Sequence, residues 1–142
     1  MIIRRARLSD SDRIAPLVGQ LGYPTEADEI RVRLERLLSS AQAVVVVAAA
    51  ADEILGLATA DLLHLIYRPW PQCRITALVV REDSRRQGIG KSLVQAVESV
   101  AREHSCFRLE LTTRAGRPEG LAFYASLGFV ERPHRLVKQL DE

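Results

Sequence analysis

The chain has 142 residues, 47% of them hydrophobic and 27% charged, with 20 Lys and Arg against 18 Asp and Glu. That length suits one domain around a single core, and a formal net charge of +2 is too small to support nucleic-acid or membrane binding by bulk electrostatics. The cysteines, Cys73 and Cys106, form no CxxC pair and no metal-ligand spacing, so the expectation is buried thiols in a reducing cytosol and no metal site.

Residues 2–7 read as a first strand led by Ile2 and Ile3. This start lacks the apolar region of a signal peptide, and no later window approaches the ~20 apolar residues of a membrane span. The expectation is a soluble, cytoplasmic protein. Ser9 and Asp12 stand three apart, as in a capping box. A helix over about 10–20 follows, with Ile14, Leu17, Val18 and Leu21 at helical spacing. Gly22-Tyr23-Pro24 interrupts it. Thr25 with Asp28 makes a second cap for a helix over 26–38, which carries Ile30, Leu34, Leu37 and Leu38 on one face. Glu26, Asp28 and Glu29 lie in its first turn, where the helix dipole favours acidic groups.

Residues 43–50 are a continuous apolar strand, and Asp52-Glu53 reads as the turn to a partner strand from Ile54 to about Leu65. Arg68-Pro69-Trp70-Pro71 is neither regular strand nor helix. A strand over 74–80 comes next. The following helix, Gly88 to about His104, buries Ile89, Leu93, Val94, Val97, Val100 and Ala101. Phe107 to Thr113 alternates as a strand. Pro118 suits the first position of a last helix that runs through Leu121, Phe123, Tyr124 and Leu127, with Gly128 as its C-terminal glycine. Phe129–Val130 and Leu136–Leu140 read as short final strands. The reading is one α/β domain over 1–142, a mixed central β-sheet with helices on both faces.

The chain is organised around residues 78–94. An apolar strand breaks into a polar turn holding Arg85, Arg86 and Gln87, then Gly88 and Gly90 lead into a helix. A glycine lets a ligand approach the backbone closely. The first amides of a helix have no internal partner and sit at the positive end of its dipole. Flanked by Arg85, Arg86 and Lys91, this turn is a cradle for a phosphate or pyrophosphate. It is not the dinucleotide fingerprint, because Leu93 stands where the third glycine belongs. It is not a P-loop either, because Arg85 stands at that loop's first glycine.

Arg-x-x-Gly-x-Gly over Arg85 to Gly90 resembles the acyl-CoA signature of the GNAT superfamily, the acyl-CoA-dependent N-acetyltransferases. Ala122-Phe123-Tyr124-Ala125-Ser126-Leu127-Gly128-Phe129 resembles a second GNAT stretch, Phe-Tyr-x-x-x-Gly-Phe. The resemblance implies the GNAT fold, acetyl-CoA as cosubstrate, and an amine acceptor on a small molecule or a protein. It implies that Leu78 and Val80 offer backbone groups to the pantetheine arm, and that Arg85, Arg86, Gln87, Gly88, Ile89, Gly90, Lys91 and Ser92 hold the pyrophosphate, chiefly by backbone amides. It also implies that Tyr124 is the general acid and that the protein is a homodimer.

Chemistry supports several of these roles. Acyl transfer to an amine develops an oxyanion that needs a donor, and the amide of Val79 or Val80 can supply one. The departing thiolate, with an ordinary pKa near ~8.5, can take a proton from a phenol with pKa near ~10. Two positions depart from the family pattern. Thr113 stands where many members carry an asparagine beside the pantetheine. Arg74 stands where some carry a glutamate base, and it cannot accept a proton at neutral pH. The candidate bases are His64 and Glu110. Tyr23, Tyr67 and Trp70 are the aromatic candidates for lining the acceptor site. The sequence thus supports an N-acetyltransferase acting by direct attack without a covalent enzyme intermediate, and as the alternative a non-catalytic acyl-CoA-binding sensor or docking module.

Overall fold

The computed structural model describes residues 1–113, 118–132 and 134–141, without the side chain of Pro118. The chain divides into two compact units, Met1–Thr112 and Thr113–Glu142.

The first unit contains β1 (Ile2–Arg5), α1 (Ser11–Gln20), α2 (Ala27–Leu38), β2 (Ala43–Ala50), β3 (Glu53–Leu63), β4 (Gln72–Val80), α3 (Ile89–Glu103) and β5 (Leu109–Leu111). The five strands form one sheet in the order β1-β2-β3-β4-β5. The first four pair antiparallel, and β4 pairs parallel with β5. The run Ala-Val-Val-Val-Val-Ala-Ala-Ala makes β2 because it lies inside the sheet, with six of its eight residues buried; a strand covered on both faces reads as an unbroken apolar run.

Ile14 and Leu17 of α1 and Ile30 and Leu34 of α2 pack on Val45, Val47, Ala49, Leu57 and Val79. Adjacent residues of a strand point to opposite faces, and Gly56, next to Leu57, lies against α3. A Cβ on Gly56 would come within 2.9 Å of Leu93 Cδ1 and 3.2 Å of Ile89 Cγ2. The helices α1 and α2 therefore cover one face and α3 the other. Ile89, Leu93, Val94, Val97 and Ala101 of the expected stripe are buried.

Several local expectations are corrected. The N-terminal caps are not Ser9/Asp12 and Thr25/Asp28. Asp10 accepts from the Arg7 amide at 2.7 Å, and the Glu29 carboxylate accepts from the Glu26 amide at 3.3 Å. Ser9 lies inside a short 3-10 turn, Leu8–Asp10, and the Thr25 hydroxyl donates to Tyr23 O at 2.6 Å instead of to the helix. The hairpin turn is Ala51-Asp52, because Glu53 already pairs with Ala50. Ala51 takes a left-handed φ of 54° there.

The second unit holds α4, Pro118–Ser126. It ends as expected at Gly128, whose φ is 93°. The strands expected at Phe129–Val130 and Leu136–Leu140 do not form. A strand requires a ladder partner for its backbone groups, and among the described residues none pairs with either run. No helix of the described residues is long and apolar enough to cross a membrane.

Candidate active site

The site is built on β4 and the turn that follows it. The β3–β4 register shifts at Thr59/Ala60, so that Thr76 is an extra residue on β4 between Ala77 and Ile75. Such a bulge bends a strand and disrupts its ladder. Pairing of β4 with β5 covers Cys73 to Ile75 and goes no further. Among the described residues no strand pairs with the β5 side of β4 from Thr76 to Val80, and such an open edge presents strand N–H and C=O groups to an incoming chain. Thr76 and Thr59 place their hydroxyl oxygens 2.7 Å apart at the bulge.

Which groups face that edge follows from one bond. The Arg81 amide donates to Leu55 O at 2.7 Å, and antiparallel neighbours alternate between facing their partner and facing away. Val79, opposite Leu57, therefore faces β3, and its side chain is buried in the core. Leu78 and Val80 face the open edge. The Val80 carbonyl is already engaged, accepting from Gln20 Nε2 at 2.7 Å.

Beyond β4, the 3-10 turn Glu82–Ser84 leads to Arg85 and Arg86. Ser84 is buried, and Arg81 anchors the turn through Asp83 at 2.6 Å. That hydrogen bond holds the Asp83 carboxyl below its ordinary pKa and raises that of the Arg81 guanidinium. Arg86 adopts φ 65° and Gly88 φ 79°. Successive amides in an αR-αL turn form a backbone nest suited to anions, and Gly88 supplies a left-handed residue directly before the first amides of α3. Gly88 is the N-cap residue of α3 and supplies no side-chain cap. The first amide of α3 bonded within the helix is that of Ser92, to Gly88 O at 3.0 Å. The amides of Ile89, Gly90 and Lys91 precede it, among the orphan donors of a helix start. Space around an added Gly88 Cβ is empty to 4 Å. Arg85, Arg86, Gln87, Gly88 and Lys91 are exposed, Gly90 and Ser92 are partly buried, and Ile89 points into the core.

Tyr124 lies in the second unit, on α4. The Gly128 amide donates to Ala125 O and the Phe129 amide to Tyr124 O, each at 3.0 Å. This is the Schellman arrangement, in which the residue after the left-handed glycine packs on the helix's last turn. Phe129 does so edge-on to Tyr124, with centroids 5.6 Å apart, and Phe123 also packs edge-on to Tyr124 at 5.0 Å. The Phe-Tyr-x-x-x-Gly-Phe stretch is therefore a helix stop that fixes the tyrosine ring. Burial raises the Tyr124 pKa above its ordinary value of 10.0. Thr113, partly buried, also belongs to this unit.

His64 is exposed, one residue past the end of β3. Leu63 pairs with Gln72 at the start of β4, so His64 lies at the end of the sheet away from the glycine turn. Glu110 shares a network on the sheet face. Gln72 Nε2 donates to its carboxylate at 3.0 Å, Arg108 approaches at 3.5 Å and Arg74 at 3.9 Å. Tyr23, Tyr67 and Trp70 are exposed, and Arg68 stacks over Phe107 at 4.5 Å. Cys73 is buried and Cys106 partly so; burial pushes the Cys73 thiol up to about 12. Among the described residues no His, Cys, Asp and Glu cluster is arranged to hold a metal ion. Sequence reasoning missed Gln20, the bulge at Thr76 and the buried Ser84. Only Gln20 left a trace, as a polar residue in the last turn of an amphipathic helix.

The profile of the Acetyltransferase (GNAT) family matches residues 12–129. Among solved structures, a protein designated an acetyltransferase from Agrobacterium tumefaciens superimposes with a TM-score of 0.90 at 24% identity, covering 98% of this chain and 100% of that one. A transcriptional regulator from Bacillus halodurans gives 0.88 at 26% identity, covering 98% and 99%. Glucosamine-6-phosphate N-acetyltransferase from Arabidopsis thaliana gives 0.86 at 22% identity, covering 99% and 98%. The comparison with curated proteins finds no match.

Proposed function

From the premise that this chain belongs to the GNAT acetyltransferase family, we propose that it transfers an acetyl group from acetyl-CoA to a primary amine by direct attack. The observation that carries the reading is the continuity of the open β4 edge, Thr76 to Val80, with the orphan amides at the start of α3. An extended arm of about five residues' length, ~16 Å, spans that edge. The empty space at Gly88 and the nest of amides fit a diphosphate.

Acetyl-CoA supplies the activated acetyl thioester. The amides of Arg85 to Lys91 hold its pyrophosphate beside the Ser92 hydroxyl, with Arg85, Arg86 and Lys91 adding positive charge, and Leu78 and the Val80 amide pair with the pantetheine amides. Thr113 contributes a hydroxyl to that arm. The oxyanion donor is drawn from Leu78 and Val80, because Val79 turns its amide toward β3. Tyr124 keeps its proton at neutral pH and donates it to the departing sulfur. The incoming amine gives up its proton to water or to a base, for which His64 is the candidate without a hydrogen-bond or ion-pair partner among the described residues; Glu110 is held by Gln72, Arg108 and Arg74. The acceptor is a small-molecule or protein amine, and the working form is a homodimer in the cytoplasm.

The engagement of Glu110 and the presence of Arg74 on β4 favour a second reading, an acyl-CoA-binding module without chemistry. Thiol release from acetyl-CoA, measured across a panel of small and peptide amines, separates the two. Amine-dependent release above the buffer rate supports the enzyme. Calorimetric binding of coenzyme A with no amine accelerating release supports the module, and no binding at all sinks both.

A further inference from the structure

The side chain of Gln20 binds the backbone on both sides of Arg81. Its Nε2 donates to Val80 O at 2.7 Å, and its Oε1 accepts the Glu82 amide at 3.1 Å. Arg81 meanwhile turns its own amide to Leu55 O on β3. One amide that donates to residue i−1 and accepts from residue i+1 reproduces the bonding of a residue in a parallel ladder. Gln20 therefore occupies, opposite Arg81, the place that a neighbouring strand would take on the open edge of β4.

This gives the open edge two ends. β5 closes it at Ile75, and Gln20 closes it at Arg81. Between them, both backbone groups of Leu78 and the amide of Val80 are left facing outward. The same two bonds fix the direction in which the chain leaves β4. Its next fixed point is Ser84, whose amide bonds to Arg81 O at 2.8 Å, and then come the left-handed residues Arg86 and Gly88. The bonds of Gln20 cross 60 and 62 residues of sequence, so a helix on one face of the sheet sets the loop that leads to the helix on the other.

We infer that Gln20 is a positioning residue for coenzyme A: it terminates the pantetheine slot and aims the diphosphate-binding turn. This rests on the cofactor reading above. Its contribution is preorganisation of the loop before ligand arrives, which shows as affinity because an unheld loop must be ordered on binding.

The test uses Gln20→Met, which keeps the side chain's length and removes both polar groups. Gln20 borders a small cleft of about 130 Å³ with Arg13, Pro16, Leu17, Ile54 and Arg81, which leaves room for the methionine side chain beside Leu17 and Ile54. Calorimetry with coenzyme A on the full chain should show a loss of roughly tenfold, the equivalent of one to two hydrogen bonds. Hydrogen exchange at the Glu82 amide should accelerate at least tenfold, while amides of β2 keep their protection. Affinity within twofold of wild type, in a variant with unchanged β2 protection, overturns the role of Gln20. If wild type itself fails to bind coenzyme A, the cofactor reading falls and this role with it. If Gln20→Met does not fold, the wild-type Glu82 amide decides. Protection like that of a sheet amide supports the bridge, and exchange at the rate of an exposed loop overturns it.

Discussion

The two ends of β4 are built from different materials. Past Val80 the chain offers its backbone: the first amides of α3, two left-handed residues, and exposed side chains from Arg85 to Gln87. At Gln72 and Arg74 the chain works with side chains, which satisfy one another. Gln72, Arg108, Arg74 and Glu110 form a closed network of bonds between 2.8 and 3.9 Å. Backbone donors serve a ligand part that never varies, such as a diphosphate, because any residue types with the right φ supply them. Side-chain networks can be altered one residue at a time. Under the proposed function, the glycine end takes the shared cosubstrate and the other end is free to differ with the acceptor.

The largest expected effect breaks the backbone end alone. Gly88→Arg places a side chain in the empty space at a φ of 79°, which L-residues adopt at a cost of roughly 1–2 kcal/mol. Each amide bond to a charged phosphate contributes about 1.5–3 kcal/mol, so losing the set should weaken coenzyme A binding by more than ~10³-fold. Retained affinity in calorimetry would place the diphosphate elsewhere. Next in size is Tyr124→Phe, which removes one side-chain proton and leaves the backbone nest intact. Turnover should fall on the order of 100-fold, with coenzyme A affinity within twofold. Burial raises the Tyr124 pKa above 10.0, so the acid form persists up to and beyond that pH. The wild-type rate should show no alkaline loss from this group below pH 10. Unchanged turnover in the variant removes Tyr124 from the acid role.

What the sequence revealed follows the same division. Gly88 was legible because a left-handed turn strongly selects for glycine, and the stripe of α3 and the run of β2 were legible because buried faces impose a period. Arg86 adopts φ 65° just as Gly88 adopts φ 79°, yet nothing in an arginine announces it. Gln20 showed only as a polar residue ending an amphipathic helix, because its partners lie 60 and 62 residues away in sequence. The bulge at Thr76 is a matter of register, and register depends on two strands at once. The caps were misplaced because Ser9, Asp10, Ser11 and Asp12 all suit a helix start, and only the fold selects among them. The last strands failed because a short apolar run does not specify a ladder partner.

Gly56→Ala sharpens the comparison by pushing on the cradle from below. Its Cβ would sit 2.9 Å from Leu93 Cδ1, 3.2 Å from Ile89 Cγ2 and 3.1 Å from the Val79 carbonyl. The side chains can shift but that carbonyl belongs to β4, so the overpacking should cost about 1–3 kcal/mol in denaturant unfolding. Ile89 is the first residue of α3, so its displacement should also weaken coenzyme A binding several-fold. A stability loss with unchanged affinity would mean that the start of α3 is insulated from the packing beneath it.

The smallest effect belongs to the side-chain end. Glu110→Gln removes one charge from the network and keeps an oxygen for Gln72. Arg74, Arg108 and Glu110 have side-chain exposures of 41%, 49% and 34%, so solvent screens their pairing and the stability change should stay below about 1 kcal/mol. Coenzyme A affinity should stay within twofold, since the network pairs with β4 before the bulge and the open edge begins after it. The informative quantity is the KM for whichever amine first supports thiol release. A changed amine KM beside an unchanged coenzyme A affinity separates the two ends of β4 by function as well as by construction. A loss of coenzyme A affinity as large as that expected for Gly88→Arg would show that the two ends act as one site and would end the distinction.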